Sequence, residues 1–346
     1  MQIDIILEPD LTPAQVAEIA VVAEKYGFRT LWHSNFHQNP DAFMALMPAA
    51  QVTSRIKLGV LAVSPYEMHP IKIGNALLTL NEASNGRGVV AIGGGGAVLS
   101  AMANIDRQNL RMVKSVREAT EIVKLVVSGE PSRGYEGEIY KVAIPINHQP
   151  WKTAPTAKVF TASTREQMLE MAGRVADGTQ LSDVTPEVIH ERIAAVHRGI
   201  ARRETPIDDF RIGNFWAWHI KEDVEQAKYE ARRELVFRGQ LFPPKVDVLP
   251  YVSVEERQLI ADNMRSFNMA YWTRSGVIEG VPAETVDKLI AAFSSTGGLD
   301  AIDAQIERFR IFERKGLTEL SIRLFDEPMA GLKLVGDHVL PKFETY

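Results

Sequence analysis

Three side chains early in the chain, His33, Asn35 and His37, fall within five residues at the end of an apolar run, Phe28 to Trp32. A histidine there suits proton transfer near neutral pH, whereas an asparagine can only donate or accept a hydrogen bond. His37 and Asn35 are read as the groups that polarise or protonate an acceptor. The alternative for His37 is an ordinary polar loop residue. His219, near the end of a later strand-like segment, is a weaker catalytic candidate. Two further stretches suit a ligand rather than a proton. Thr161-Ala162-Ser163-Thr164 precedes a helical pattern, and backbone N–H groups and hydroxyls at a helix N-terminus suit a phosphate; simple capping by Ser163 or Thr164 is the other reading. Gly93, Gly94, Gly95 and Gly96 let backbone approach a ligand with no Cβ in the way, or form a loop after a strand.

Other chemistries are excluded by spacing. His190-Glu191 fails the zinc-protease pattern because Ala194 stands where the second histidine is needed. No metal site is expected, and the absence of cysteine removes disulfides, thiolate ligands and thiol catalysis. Asp208-Asp209 and Glu255-Glu256 read as solvated surface.

The elements that must position these residues alternate. Strand-like runs are read at Ile3–Leu7, Phe28–Trp32, Arg55–Val63, Gly88–Ile92, Ala157–Thr161, Gly178–Leu181, Phe210–His219 and Leu317–Leu324. Helical patterns lie between them, such as the one that Thr12-Pro13 opens and Gly27 closes. Another is read from Arg107 to Val127. Eight strands alternating with helices predict an α/β fold, a (β/α)8 TIM barrel with insertions, spanning residues 1–346 as a single domain. The excursions are placed at about 129–155, with a short hairpin in GYEGEIYKV, and at 239–282. The aromatics of the second, with Leu241-Phe242-Pro243-Pro244 and Tyr271-Trp272, fit a lid over the barrel mouth or a contact surface. An open doubly wound sheet is disfavoured because Val98 breaks the dinucleotide fingerprint after Ile92.

Composition sets the remaining bounds. The chain has 346 residues, 45% hydrophobic and 24% charged, enough for a substantial core. A net charge of −5 and no polybasic run give no reason to expect nucleic acid or a membrane surface. The opening MQIDIILEPD has acids where a secretory signal carries bases, so a cytoplasmic location is expected.

With these segments placed, the chain resembles the luciferase-like superfamily, nearest its methylenetetrahydromethanopterin-reductase-like branch. AEKYGFRTLWHSN, SPYEMHP, LNEASNGRG, VFTASTREQMLEMAGRVADGTQLS, FRIGNFWAWHIKED and AFSSTGGLDAIDAQIERFRIFERKGLTEL carry the resemblance. It implies a tricyclic cofactor in the barrel mouth, with one ring face against a third-strand bulge over Leu61, Ala62, Val63 and Ser64, and a cis peptide near Leu61-Ala62. It implies a phosphate tail held by the Thr161–Thr164 turn and by Gly178-Thr179. Relatives place Asp-His where this chain has Asn35-Phe36, and an acid where it has Gly96. The resemblance implies coenzyme F-420 delivering hydride from C5 to a small organic substrate. The alternative is an FMN-dependent monooxygenase using reduced FMN, from a partner flavin reductase, and O2. A non-catalytic partner subunit of the same fold is the second alternative. A homodimer is expected.

Overall fold

The computed structural model describes residues 1–95, 110–146, 149–238 and 250–343. Gly96 and the Leu241–Pro244 aromatic-proline stretch lie outside the described residues.

Eight parallel strands close into a ring. In chain order they are β1 (Gln2–Leu7), β2 (Thr30–Ser34), β3 (Lys57–Val63), β4 (Gly88–Gly93), β7 (Lys158–Ala162), β8 (Gly178–Ser182), β9 (Arg211–Ile220) and β11 (Glu319–Leu324). Each pairs with the next, β9 pairs with β11, and β11 pairs with β1, which closes the barrel. Helices α1 (Pro13–Tyr26), α2 (Ala42–Val52), α3 (Pro70–Ala83), α4 (Met112–Ser128), α5 (Glu166–Val175), α6 (Ile189–Ile200), α7 (Val224–Glu234) and α11 (Ile302–Arg314) form the outer layer. This is the (β/α)8 barrel that the alternation predicts.

Local chemistry explains the boundaries. Thr12 and Gln15 cap α1 reciprocally ahead of Pro13, and Gly27 ends the helix at φ 91°, a conformation that costs glycine little. The LNEASNGRG turn is a clamp. Arg87 donates to the carbonyls of Ser84, Ile56, Ala50 and Thr53 and to the Thr53 hydroxyl, which ties the ends of α2 and α3 to the start of β4. The hairpin forms as β5 (Tyr135–Glu136) and β6 (Lys141–Val142), and Glu118 of α4 accepts the backbone N–H groups of Glu138, Ile139 and Tyr140 at its turn.

Three differences from the sequence reading stand out. A ninth strand, β10 (Ser294–Gly297), pairs with the carboxyl end of β9 directly after α10 (Ala283–Phe293). Helix α4 starts at Met112, and residues 107–109 lie outside the described residues. Among its described residues the 239–282 excursion contains two helices, α8 (Val254–Asp262) and α9 (Met264–Trp272), which build a small core of their own with α7 and α10 around Phe267, Leu289 and Phe293.

The lumen is packed rather than hollow. Ile6, Trp32, Leu61, Val89, Ala91 and Phe160 meet there, with the Trp32 and Phe160 rings 5.8 Å apart. This apolar plug separates the two rims, and each fully buried side chain in it contributes roughly 1.5–3 kcal/mol. Among the described residues no helix is long and apolar enough to cross a membrane, and no cluster of His, Asp and Glu could hold a metal ion.

Candidate active site at the carboxyl rim

The carboxyl ends of the strands surround a cavity of about 220 Å³. Its floor is the upper face of the lumen plug, Ile6, Leu61, Ala62, Ala162 and Phe215. The third strand is irregular here. Its register with β4 shifts between Leu61 and Val63, and the Leu61–Ala62 peptide is cis. Gly93 of β4 lies between Ala62 and Ala162: a Cβ on it would come 3.4 Å and 3.2 Å from their Cβ atoms. Ala62, Gly93 and Ala162, at the carboxyl ends of three neighbouring strands, are too small to project and leave a low shelf that suits a flat ring. Replacing Gly93 with valine should raise that shelf by a branched side chain that a strand accepts readily. We expect Gly93→Val to bind a planar ring about 100-fold more weakly, or roughly 2.7 kcal/mol, and to melt at a lower temperature because its side chain crowds Ala62 and Ala162. Unchanged binding by fluorescence titration would show that no ring rests there.

The polar side of the cavity was not anticipated. Glu8 follows β1, Arg323 lies in β11, and Glu234 ends α7; all three line the wall with Phe36, Phe237 and Tyr271. The Arg323 Nε donates to Glu8 Oε1. Glu234 Oε1 accepts from Arg233 Nε at 2.9 Å and Arg274 Nη1 at 3.4 Å. Burial, reinforced by the charge of Glu8, pushes the Glu234 carboxyl up, against the pull of the nearby arginines. A strand-end acid such as Glu8 can be suspected from sequence. Nothing local marks Glu234, which faces inward only because the insertion packs beside α7.

The predicted residues divide. Asn35, Leu61, Ala62 and Ala162 line the cavity. Asn35 is committed to architecture, since its Nδ2 donates to Ala62 O at 3.3 Å and to Glu67 Oε1 at 2.8 Å. That same Glu67 oxygen accepts the Ser64 N–H at 2.7 Å, so an acid unmarked in the sequence reading pins the loops after β2 and β3 together. His37 stands exposed beside Phe36, outside the cavity wall. His219 is buried away from the cavity, its Nδ1 2.7 Å from Glu230 Oε1 and its ring stacked on Phe325; burial depresses its pKa. His33 is not in the loop at all but inside β2, buried. Val63 packs in the main core towards the helices.

The phosphate candidates also divide. Helix α5 begins after Arg165 with no side-chain cap, so neither Ser163 nor Thr164 caps it and its first turn is open to an anion. The Ser163 N–H is already spent on Gln180 O, and the Ser163 hydroxyl donates to Thr161 Oγ1. Thr161 and Thr179 share a hydroxyl hydrogen bond inside the wall. The Gly178-Thr179 expectation needs correction. These residues open β8 rather than follow it, because the strand starts two residues after α5 ends, with Asp177 N bonded to Val159 O. Thr179 stands in register with Thr161 inside the wall, and the turn after β8 begins at Asp183. Of the glycines, Gly94 packs against Met112 and Gly95 adopts φ 80°.

Comparison with known proteins agrees with this geometry. Residues 3–317 match the family described as luciferase-like monooxygenase. The chain is 25% identical to the 5,10-methylenetetrahydromethanopterin reductase of Archaeoglobus fulgidus, over 99% of this chain and all of that one. It superposes on the coenzyme F-420-dependent tetrahydromethanopterin reductase of Methanopyrus kandleri with a TM-score of 0.78, at 21% identity and 99% coverage of both chains. The FMN-bound oxygenating constituent of 3,6-diketocamphane monooxygenase from Pseudomonas putida gives a TM-score of 0.64 at 17% identity, with all of both chains covered.

Proposed function

The chain belongs to the luciferase-like monooxygenase family, and from that premise we propose that it is an oxidoreductase using reduced coenzyme F-420 to transfer hydride to a small organic acceptor. The observation that carries this reading is the carboxyl-rim cavity, with a small-residue shelf on one side and a buried acid on the other. The Ala62–Gly93–Ala162 shelf would take the planar ring, and the open first turn of α5 would take its phosphate. When bound, the reduced deazaflavin supplies a hydride from C5. Phe215, Phe237 and Tyr271 exclude water and hold the acceptor over the ring. As hydride reaches the acceptor carbon, Glu234 gives its proton to the acceptor's oxygen or nitrogen. The carboxylate left behind is compensated by Arg233 and Arg274.

Fluorescence titration with each cofactor tests this directly. We expect saturable binding of F-420 and much weaker binding of FMN. Tight FMN binding with oxygen consumption in the presence of a flavin reductase would overturn the proposal in favour of a monooxygenase. If neither cofactor binds, a non-catalytic role for this fold takes its place.

A further inference from the structure

A second cavity, of about 430 Å³, adjoins the mouth and shares three lining residues with it, Glu8, Pro9 and Tyr271. Of these, Glu8 is held by the Arg323 Nε, and Pro9 is a buried residue with a fixed ring. Tyr271 is the large side chain at the boundary, and it comes from a separate element, α9 of the insertion. Its ring meets Phe237 of the mouth wall edge-on, with centroids 4.4 Å apart, and meets Trp272 at 5.3 Å. The chain just beyond it is tied down. Arg274 donates from Nη1 to Glu234 Oε1 at 3.4 Å and from Nη2 to Asp326 Oδ1 at 2.8 Å. Burial and the charges of Glu234 and Glu8 push the Tyr271 phenol up, so it stands neutral beside both acids. A ring packed against two others on an anchored segment is a fixed wall between the cavities.

We propose that Tyr271 is the specificity-determining partition of this site: its ring stops an acceptor's carbon chain at the mouth, so the enzyme selects short acceptors, and without the ring the two cavities become one that takes longer ones. This partition presupposes the acceptor site proposed above, but neither the identity of the cofactor nor the hydride. Beyond the ring, Leu11, Phe325 and Pro328 offer apolar surface. Each further methylene buried against them is worth about fourfold in affinity, or roughly 0.8 kcal/mol.

Straight-chain primary amides, from acetamide to octanamide, match methyl ketones in shape and do not accept hydride. Isothermal titration of the full chain with this series, with and without cofactor, tests the partition. Wild-type affinity should climb with chain length and then drop about 10-fold at the member that reaches Tyr271. Tyr271→Ala should abolish the drop and continue the climb at about fourfold per methylene. Tyr271→Leu, which keeps more of the packing should the alanine variant fail to fold, should move the drop to a longer member. Tyr271→Phe keeps the ring and should keep the drop where it is. Methyl ketones reduced with F-420 should show the same order in kcat/KM. A drop that moves while no ketone is reduced would sink the hydride reading and leave the partition standing. No drop in the wild type, a drop at the same length in the alanine and leucine variants, its loss in Tyr271→Phe, or no saturable amide binding would each overturn the proposal.

Discussion

Glu234→Gln should lose about 100-fold or more of its turnover while binding cofactor as the wild type does, since general acid catalysis contributes roughly 10²–10⁴-fold. Glutamine keeps an oxygen for Arg233 and Arg274, so the wall should survive the change. What disappears is the transferable proton. The pH profile distinguishes this from a structural role. Burial raises the folded-state pKa of Glu234 above its ordinary value, so the wild type is active while that carboxyl holds its proton. Its rate should fall as pH rises through that raised pKa, and the glutamine variant should lack this limb. The measurement is the rate at which reduced F-420, bound to the enzyme, is oxidised by the best acceptor from a panel of small ketones and imines. A variant within about threefold of wild type, well under the range expected of an acid catalyst, would remove Glu234 from the chemistry. A pH limb that persists in the variant would do the same.

The residues the sequence reading found and those it missed differ in kind. Thr12, Pro13 and Gly27 were legible because a cap is a contest among neighbours in the chain, and the structure puts each in that role. His69, directly before Pro70, caps α3 through Nδ1 and meets the Tyr140 ring edge-on. Trp216 and Trp218, two residues apart on β9 and so on one strand face, are both buried in the core. Strand β10 was invisible because Ser-Ser-Thr-Gly carries no apolar alternation and follows a helix with no break. The polar side of the cavity was illegible for another reason. Glu8 and Arg323 meet across 315 positions of chain, and only ring closure between β11 and β1 makes them neighbours. Glu234 depends on the packing of α9 and Arg274 beside α7, a tertiary event with no local signature. Conversely, His37 drew notice by residue type and by its place just after a strand, and it stands exposed.

Closing the ring also sets the charge layer beneath the lumen, and Arg29→Leu should cost about 3–5 kcal/mol of stability, the usual penalty for removing one partner of a buried ion cluster. Arg29 is almost wholly buried and donates to both Asp4 (2.7 Å) and Glu319, each fully buried. Asp4 also accepts the Thr30 N–H, and the Trp32 indole N–H approaches it at 3.4 Å, so the acid cannot simply turn away. Glu319 has weaker support, from Gln180 at 3.4 Å and Arg211 at 3.5 Å. Burial already pushes the Glu319 carboxyl up, and Arg29 is the largest influence holding it down. Without Arg29 its folded-state pKa rises further. A carboxyl raised on folding favours the native state below its unfolded pKa and loses that contribution as pH rises through the folded value. The stability gap between wild type and Arg29→Leu should therefore be narrow near pH 5 and widen towards pH 8. Urea midpoints at the two pH values measure it, and a gap that does not change with pH would mean that the two acids find other partners once the guanidinium is gone.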